Sequence, residues 1–283
     1  MFNVLKFPQF PYIVGHRGAK NYAPENTIAG FTKGLSCGAD LIECDVHLSK
    51  DGHVVVIHDD RVDRTTQISA PARPSKSLKI KGFVHDLTLK ELQGLDAGNG
   101  EKIPTLGEAL DWVIQNPTLS GFVIEIKTCE KDPRKMAGPV LDVILSRKIN
   151  AANIIQRCVV ISFDHSVVGE IKSQCNQLAT GLLYGHRGEL KTDIFDLCKL
   201  YDADSIWPSV HAVTPELVAQ AHQQNIGVFT WVANTETIMK KVIAAGVDGI
   251  GSDVPDRLRN LRDLRELTDL RELTDLRKLR GHL

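Results

Sequence analysis

The chain has 283 residues, 42% of them hydrophobic and 24% charged, and its formal net charge at pH 7 is −1. This balance is typical of a globular protein and provides no general basic field, so we expect neither nucleic acid nor an anionic membrane as a partner. The N-terminal segment, which contains Lys6, Pro8 and Pro11, lacks the apolar core of a signal peptide, and no later run predicts a transmembrane segment. We therefore expect a cytoplasmic location. The six cysteines show no CxxC spacing, which favours reduced thiols over a zinc site or a disulfide framework.

Short apolar runs rich in β-branched residues recur along the chain and predict nine strands. They are YIVG, LIECDV, VVVIH, GFVIEI, CVVISF, ATGLLY, ADSIW, GVFTW and VDGIG. Helical segments separate most of them, and the clearest span residues 26–37, 105–115, 164–174, 214–224 and 235–245. This alternation predicts parallel strands with the helices outside them.

One connection breaks the alternation, because only LSKDGH separates the second strand from the third. A parallel crossover needs about a dozen residues, so these two strands are predicted to be antiparallel. The dipeptide Asp51-Gly52 favours a two-residue type I′ turn, and the register of that turn places His58 opposite Asp45. With this hairpin arm set aside, eight parallel strands remain, the number that closes a (β/α)8 TIM barrel.

The chain is predicted to form one barrel domain over residues 11–255. Residues 60–104 are polar and rich in turn residues, and a structureless loop of that length is rare, so we expect a small inserted lobe with a Thr-capped helix in DLTLKELQGL. Residues 256–283 repeat DLRELT and predict a leucine-rich helical tail or a frayed extension. Exposed leucines on such a tail favour self-association, and its removal is expected to leave catalysis intact.

Acidic residues occur near the ends of two predicted strands, which is the reactive face of such a barrel. Glu43 and Asp45 share one face of their strand, and Glu125 ends another. Inward carboxylates would repel one another unless protons or a cation compensated them. Oxygen ligands without cysteines favour Mg²⁺ or Ca²⁺. The alternative is that Glu43 pairs with Arg17 and Glu125 with Lys127, without a metal.

Two histidines and an arginine also follow strands. Arg17 near a cation is the arrangement expected for an anionic tetrahedral group, which indicates a phosphate ester. His16 and His58 would then supply the acid and the base. The nucleophile could be water or an internal hydroxyl of the substrate. We expect Cys44 and His47 to pack on the opposite face of their strand.

Nine segments resemble, in order from about Ile13 to Pro255, the glycerophosphodiester phosphodiesterase family, relatives of the phosphatidylinositol-specific phospholipases C. They are GHRG, APENT, ECDVHLSKDGHVVVIHDDRVDRTT, LTLKELQGLDAG, IPTLGEAL, VIEIK, ISFD, TWVAN and VDGIGSDVP. The resemblance implies the same barrel, a divalent cation, and hydrolysis of a small glycerophosphodiester to glycerol 3-phosphate and an alcohol. It also implies specific residue roles: Glu43, Asp45 and Glu125 as metal ligands, His16 and His58 as the acid/base pair, Arg17 and Lys127 as phosphate contacts, and Asn26 and Trp231 as pocket residues.

Two other functions fit parts of the same pattern. The barrel could be a metal enzyme acting on a non-phosphate substrate, or a catalytically idle barrel that serves as an interaction protein through its tail. A second GHRG at residues 185–188 lacks a following acidic pair and is interpreted as a chance repeat, with a place at the pocket rim as the alternative.

Overall fold

Strands and helices alternate along the computed structural model, which describes residues 8–68, 82–128, 133–147, 151–185 and 192–264. The strands are β1 (Tyr12–Gly15), β2 (Leu41–Leu48), β3 (Val54–Val56), β4 (Gln67–Ile68), β5 (Leu95–Asp96), β6 (Gly121–Ile126), β7 (Cys158–Ser162), β8 (Ala179–Tyr184), β9 (Ser205–Pro208), β10 (Gly227–Thr230) and β11 (Gly249–Ser252). The α-helices are α1 (Ile28–Ser36), α2 (Leu89–Gln93), α3 (Leu106–Gln115), α4 (Ala137–Leu145), α5 (Ala151–Arg157), α6 (His165–Gln174), α7 (Ile194–Tyr201), α8 (Pro215–Gln223) and α9 (Glu236–Ala245). Two 3₁₀ helices span Val84–Asp86 and Pro133–Met136, and residues 255–264 are helical.

Eight parallel strands close into a barrel. The order is β1, β2, β6, β7, β8, β9, β10 and β11, and β1 pairs with both β2 and β11. The antiparallel arm β3 adds to β2 outside the ring. All nine predicted strands are present, and the (β/α)8 TIM barrel is confirmed.

The apolar core has two layers because alternate strand residues point into and out of the barrel. A small cluster fills the barrel interior, where the rings of Trp207 and Phe229 stack with centroids 4.6 Å apart. Gly249 leaves room for this stack, since a Cβ at that position would lie 2.2 Å from the Phe229 ring. A larger cluster lies between the strands and the surrounding helices.

Three aspartates secure the amino end of the barrel in the same way. Each directly precedes a strand, accepts the backbone N–H of the second residue in the preceding barrel strand, and lies beside a basic side chain. The sets are Asp40 with Ile13 and Arg262, Asp204 with Thr180 and Lys172, and Asp248 with Val228 and His222. The carboxylates thereby satisfy N–H groups at strand starts and fix the register of neighbouring strands.

The hairpin register differs from the prediction. Asp45 lies opposite Ile57, whose N–H donates to the Asp45 carbonyl at 2.9 Å, so the predicted pairing of Asp45 with His58 is wrong by one residue. The cause is the turn, because residues 50–52 form a three-residue loop instead of a two-residue one. Gly52 adopts a φ of 82°, as expected of the left-handed residue that ends such a loop.

The segment at residues 60–104 has its own apolar cluster. Val55 and Ile57 of the hairpin arm pack against side chains of this segment, while the other face of the arm joins the main core. The predicted helix in DLTLKELQGL is α2, which begins after Thr88 with a capping box to Glu91. Strands β4 and β5 form a two-stranded antiparallel sheet here that the sequence did not indicate. The division of the chain into barrel, lobe and tail stays a prediction.

The first part of the predicted tail packs on the barrel. In the helical residues 255–264, Leu258 is buried and Arg262 pairs with Asp40. Residues 265–283, which carry most of the leucine repeat, lie outside the described residues. No helix in the described part of the chain is both long and apolar enough to cross a membrane.

The two-layer core predicts how two leucine substitutions will differ. Leu110 in α3 is fully buried, so Leu110→Ala should lower the free energy of unfolding by about 2–5 kcal/mol. Leu200 in α7 is 68% exposed, so Leu200→Ala should change it by no more than about 0.5 kcal/mol. Urea denaturation followed by circular dichroism measures both values, and equal losses would contradict the layer assignment.

Candidate active site

A cavity of about 760 Å³ opens at the carboxyl end of the barrel strands. One side is polar and the other is apolar. The polar side includes His16, Arg17, Glu43, His47, His58, Glu125 and Lys127. The apolar side includes Val14, Ile161, Phe163, Leu183, Trp207 and Trp231. Seven barrel strands, β1, β2, β6, β7, β8, β9 and β11, contribute residues to this lining, so the barrel itself sets the spacing of the groups.

Three buried carboxylates converge at this end of the barrel. Strands β2 and β6 pair in parallel with Asp45 beside Glu125, and Glu43 precedes Asp45 by two residues on the same face. One oxygen from each of the three side chains lies within 4.8 Å of the others. The predicted ligand set is therefore brought together by strand pairing alone.

Two cationic side chains lie against this cluster. Lys127 Nζ bonds to Glu125 Oε1 and lies 3.0 Å from Asp45 Oδ1, while Arg17 Nε lies 3.2 Å from Asp45 Oδ2. Glu43 accepts the backbone N–H of Arg17 at 2.7 Å rather than its guanidinium. The ion pair that the metal-free alternative expected between Glu125 and Lys127 is thus present. The pair that it expected between Glu43 and the Arg17 side chain is replaced by a hydrogen bond from the Arg17 backbone. When all three are ionised, three carboxylates against two cations leave negative charge in excess.

Asn26 is buried and holds Asp45 through two hydrogen bonds. Its Nδ2 donates to Asp45 Oδ2 at 2.8 Å, and its Oδ1 accepts the Asp45 backbone N–H at 3.1 Å. Asn26 adopts a left-handed φ of 58°, a conformation that asparagine tolerates better than most residues. The PENT segment therefore fixes the central carboxylate of the cluster.

The electrostatic environment separates the three carboxyl groups. Burial, with repulsion from Asp45 and Glu125, raises the pKa of Glu43 well above its usual value. Burial raises the pKa of Glu125 to about 7. Burial also opposes ionisation of Asp45, but Lys127 and Arg17 outweigh it and hold the Asp45 pKa below its usual range.

The donor set fits a hard divalent cation. Glu43 Oε1 is buried and accepts no hydrogen bond from any described residue. An uncompensated buried carboxylate oxygen is costly, and a cation among the three side chains would relieve that cost together with their mutual repulsion. All three ligands are oxygens, which Mg²⁺ and Ca²⁺ prefer.

Each of the two predicted catalytic histidines is held by an aspartate. His16 Nδ1 lies 2.6 Å from Asp253 Oδ1, and His58 Nδ1 lies 2.6 Å from Asp59 Oδ1. An ionised carboxylate accepts the Nδ1 proton, which leaves Nε2 of the neutral ring as the proton acceptor. Asn234 donates to Asp253 Oδ2 at 2.8 Å and orients the first pair. Burial lowers the pKa of His16, and burial lowers that of His58 to about 4.

His47 lies on the same face as Asp45, so the prediction that it packs on the opposite face is wrong. The two residues are two positions apart in β2, and strand side chains alternate with a period of two. His47 is only 3% exposed, lines the cavity, and its Nε2 lies 3.0 Å from the His58 carbonyl, which accepts its proton. Cys44 points outward into the main core, as expected.

Trp231 belongs to the apolar wall of the cavity. Its Nε1 donates to the Trp207 carbonyl at 2.8 Å, and its ring meets Phe163 edge to face with centroids 5.4 Å apart. Phe163 is 40% exposed at the cavity rim. The tryptophan is thus fixed by the backbone of a neighbouring strand.

Four residues that support the site were missed from the sequence. They are Glu25, Asp59, Arg64 and Asp253. Each lies inside a segment that carries the family resemblance, but nothing in the spacing shows which side chain it will meet. His186 and Arg187 of the second GHRG lie outside the described residues.

Comparison with known proteins gives the class and the family. The chain matches the glycerophosphoryl diester phosphodiesterase family model over residues 16–257. It is 36% identical to a glycerophosphodiester phosphodiesterase of Caldanaerobacter subterraneus subsp. tengcongensis, with 88% of this chain and 96% of that protein aligned. A glycerophosphodiester phosphodiesterase of Bacillus altitudinis is 31% identical, with 89% and 98% aligned. The crystal structure of a glycerophosphodiester phosphodiesterase from Thermotoga maritima superposes with a TM-score of 0.70 at 26% identity, covering 90% of this chain and 100% of that one.

The protein is a phosphoric diester hydrolase, as the barrel, the acidic cluster and the named relatives together indicate. The chain belongs to the glycerophosphoryl diester phosphodiesterase family.

The Asp253 contact predicts a large effect from a small substitution. In Asp253→Asn the amide can donate to His16 Nδ1, which favours the tautomer with the proton on Nε2 and removes the proton acceptor. We expect kcat for diester hydrolysis to fall by up to about 10⁴-fold. Asp256→Asn is the matched control, because Asp256 accepts an exposed hydrogen bond from Tyr22 and does not line the cavity, so this variant should keep the wild-type kcat. A wild-type kcat in Asp253→Asn would contradict the proposed orientation of His16.

Proposed function

We propose that this protein hydrolyses small glycerophosphodiesters to glycerol 3-phosphate and an alcohol, with the help of a divalent cation and two histidines. The observation that carries the proposal is the cavity at the carboxyl end of the barrel. Three convergent carboxylates, two cationic side chains and two imidazoles line or adjoin that one space. The Caldanaerobacter relative carries the name of this activity, which supports the choice of substrate class.

Glu43, Asp45 and Glu125 would hold the cation, with Mg²⁺ and Ca²⁺ as the two candidates. The excess negative charge of the cluster and the buried, unbonded Glu43 Oε1 support this assignment. Bound there, the cation would supply Lewis-acid stabilisation of charge on the phosphate oxygens.

Arg17 and Lys127 would bind the phosphate from the protein side. Both are cationic and line the cavity next to the carboxylates. Glu25 holds Arg17 through a 2.9 Å contact with Nη1, so the guanidinium is positioned before substrate arrives. Such preorganised cations stabilise charge that develops on the transferring group.

His16 and His58 would move the protons through their Nε2 atoms. The nucleophile, water or the glycerol 2-hydroxyl, gives its proton to one imidazole as it attacks phosphorus. The other imidazole must start as the imidazolium, with protons on both ring nitrogens, and gives its Nε2 proton to the leaving alcohol oxygen as the P–O bond breaks. Product analysis in ¹⁸O-labelled water, with a search for a cyclic phosphate, distinguishes the two nucleophiles.

Two further residues complete the proposed site. Trp231, with the neighbouring Phe163, would contact the carbon skeleton of the substrate along the apolar wall. Asn26, predicted as a pocket residue that binds substrate, does not line the cavity and would act by holding Asp45. A cytoplasmic location and self-association through the tail stay predictions of the sequence.

Metal removal tests the proposal directly. We expect release of glycerol 3-phosphate from a panel of glycerophosphodiesters, loss of that release in EDTA, and recovery on addition of Mg²⁺ or Ca²⁺. Glu125→Gln should weaken cation binding by at least about tenfold because it removes a charged ligand. The control is Glu236→Gln on α9, whose carboxylate pairs with Lys240 at the surface. Full activity in EDTA would contradict the requirement for a divalent cation. Turnover of aldoses instead of diesters would favour the alternative of a metal enzyme on a non-phosphate substrate.

Cation affinity should depend on pH. Because burial raises the pKa of Glu125 to about 7, this carboxyl group carries a proton below that pH in the metal-free protein. The proton must leave before a cation binds, so affinity should rise as the pH increases through about 7. Calorimetric titration with Mg²⁺ or Ca²⁺ at about pH 6 and about pH 8 measures the difference. Equal affinities at the two pH values would contradict the loss of a Glu125 proton on cation binding in this range.

A further inference from the structure

Arg64 lies between two acidic side chains at the edge of the active site. Its Nε and Nη2 donate to the two oxygens of Asp59 at 2.6 and 2.9 Å. Its Nη2 and Nη1 donate to the two oxygens of Glu25 at 2.7 and 3.0 Å. Both edges of one guanidinium are therefore used in bidentate contacts, and the proposed chemistry uses none of these four hydrogen bonds.

Each of these carboxylates also holds a residue of the proposed reaction. Asp59 Oδ1 lies 2.6 Å from His58 Nδ1, and Glu25 Oε1 accepts from Arg17 Nη1 at 2.9 Å. A continuous chain of contacts thus runs from His58 through Arg64 to Arg17. Its members come from three places: the loop after β1, the end of the hairpin arm, and the start of the 60–104 segment.

We propose that Arg64 is a positioning residue that fixes His58 and Arg17 relative to each other by gripping Asp59 and Glu25. This inference rests on the proposed function, because it assigns His58 to proton transfer and Arg17 to phosphate binding. Arg64 itself does not line the cavity, so it acts only through its two acidic partners.

Geometry, and not charge alone, is what Arg64 supplies. A guanidinium offers a planar fork along each edge, whereas a lysine ammonium is a single point charge that cannot grip two carboxylates in a fixed plane. The Arg64 side chain is 46% exposed, and an isolated pair at that exposure would contribute little to stability. The Arg64 contacts matter for the orientation of His58 and Arg17, since a displacement of about 1 Å at a reacting group can lower the rate by about 10²-fold.

Loss of Arg64 would release both ends of the chain. Asp59 would keep His58 as its partner but lose the two hydrogen bonds that fix its own plane. Glu25 would keep only Arg17, and the guanidinium of Arg17 could then follow Glu25 away from the phosphate position. The first change affects proton transfer and the second affects substrate binding.

The test compares Arg64→Gln with Arg61→Gln. Arg61 is a matched control because it is similarly exposed, pairs with Asp63 and lies over the Phe83 ring, outside the chain of contacts. We expect kcat/KM on a glycerophosphodiester to fall about 10–100-fold in Arg64→Gln, with kcat lower and KM higher, and to stay at the wild-type value in Arg61→Gln. Melting temperatures of both variants should lie close to the wild-type value. Arg64→Gln with kcat/KM within twofold of wild type would overturn the inference, whereas absence of diester hydrolysis in the wild type would instead overturn the proposed function.

Two further measurements separate positioning from a general structural effect. Arg64→Lys keeps the positive charge but not the planar guanidinium, and it should lose nearly as much activity as Arg64→Gln. Full activity in Arg64→Lys would overturn the inference, and this test remains available if Arg64→Gln fails to fold. In an Asp59→Asn background, Arg64→Gln should cost clearly less than in the wild type because the link to His58 is already broken. Equal costs in the two backgrounds would show that Arg64 does not act through Asp59.

Discussion

Three carboxylates held within reach of one another inside a barrel are the constraint on which the rest of this site depends. The parallel pairing of β2 with β6 places Asp45 beside Glu125, and the period of two adds Glu43 on the same face. Burial and mutual repulsion disfavour the ionised form of these carboxylates, and neighbouring groups offset part of that free-energy cost. Lys127 and Arg17 face the cluster, and the backbone N–H of Arg17 binds Glu43. These groups leave one carboxylate oxygen uncompensated, because Glu43 Oε1 accepts no hydrogen bond from the described residues.

Most of the fold could be predicted because its signals are local. Nine apolar runs, caps before the helices, and a connection too short for a crossover were enough to give eight parallel strands and one antiparallel arm. The hairpin register was missed because an Asp-Gly pair suits both a two-residue turn and the end of a three-residue loop, and the choice depends on pairing beyond the turn. His47 is different, since the period of two already places it on the face of Asp45, and consistent use of that rule would have given its position.

The parts of the site that could be predicted are the residues that lie on strands or directly after them. Glu43, Asp45, Glu125 and Lys127 lie on two paired strands or directly after one, and the structure brings them together as expected. Their supporting partners arise from contacts between distant loops: His16 meets a carboxylate 237 residues away, and Arg64 meets one 39 residues away. Spacing carries no information about such contacts. The aspartates that close the amino end of the barrel were missed for the same reason, although each directly precedes a strand.

The two imidazoles are oriented by the same contact but anchored in different parts of the molecule. Asp253 follows β11 and is held by Asn234, so His16 is fixed by the ends of barrel strands. Asp59 is held by Arg64, at the start of the 60–104 segment, and this contact lowers the Asp59 pKa to about 2. An ionised aspartate is what keeps the Nδ1 proton on His58 and its Nε2 available. The contacts that hold the two imidazoles thus come from different places: Arg64 of the 60–104 segment binds Asp59, which contacts His58, whereas residues after barrel strands hold His16. If His58 transfers a proton as proposed, changes in residues 60–104 would affect that step without any change in the barrel.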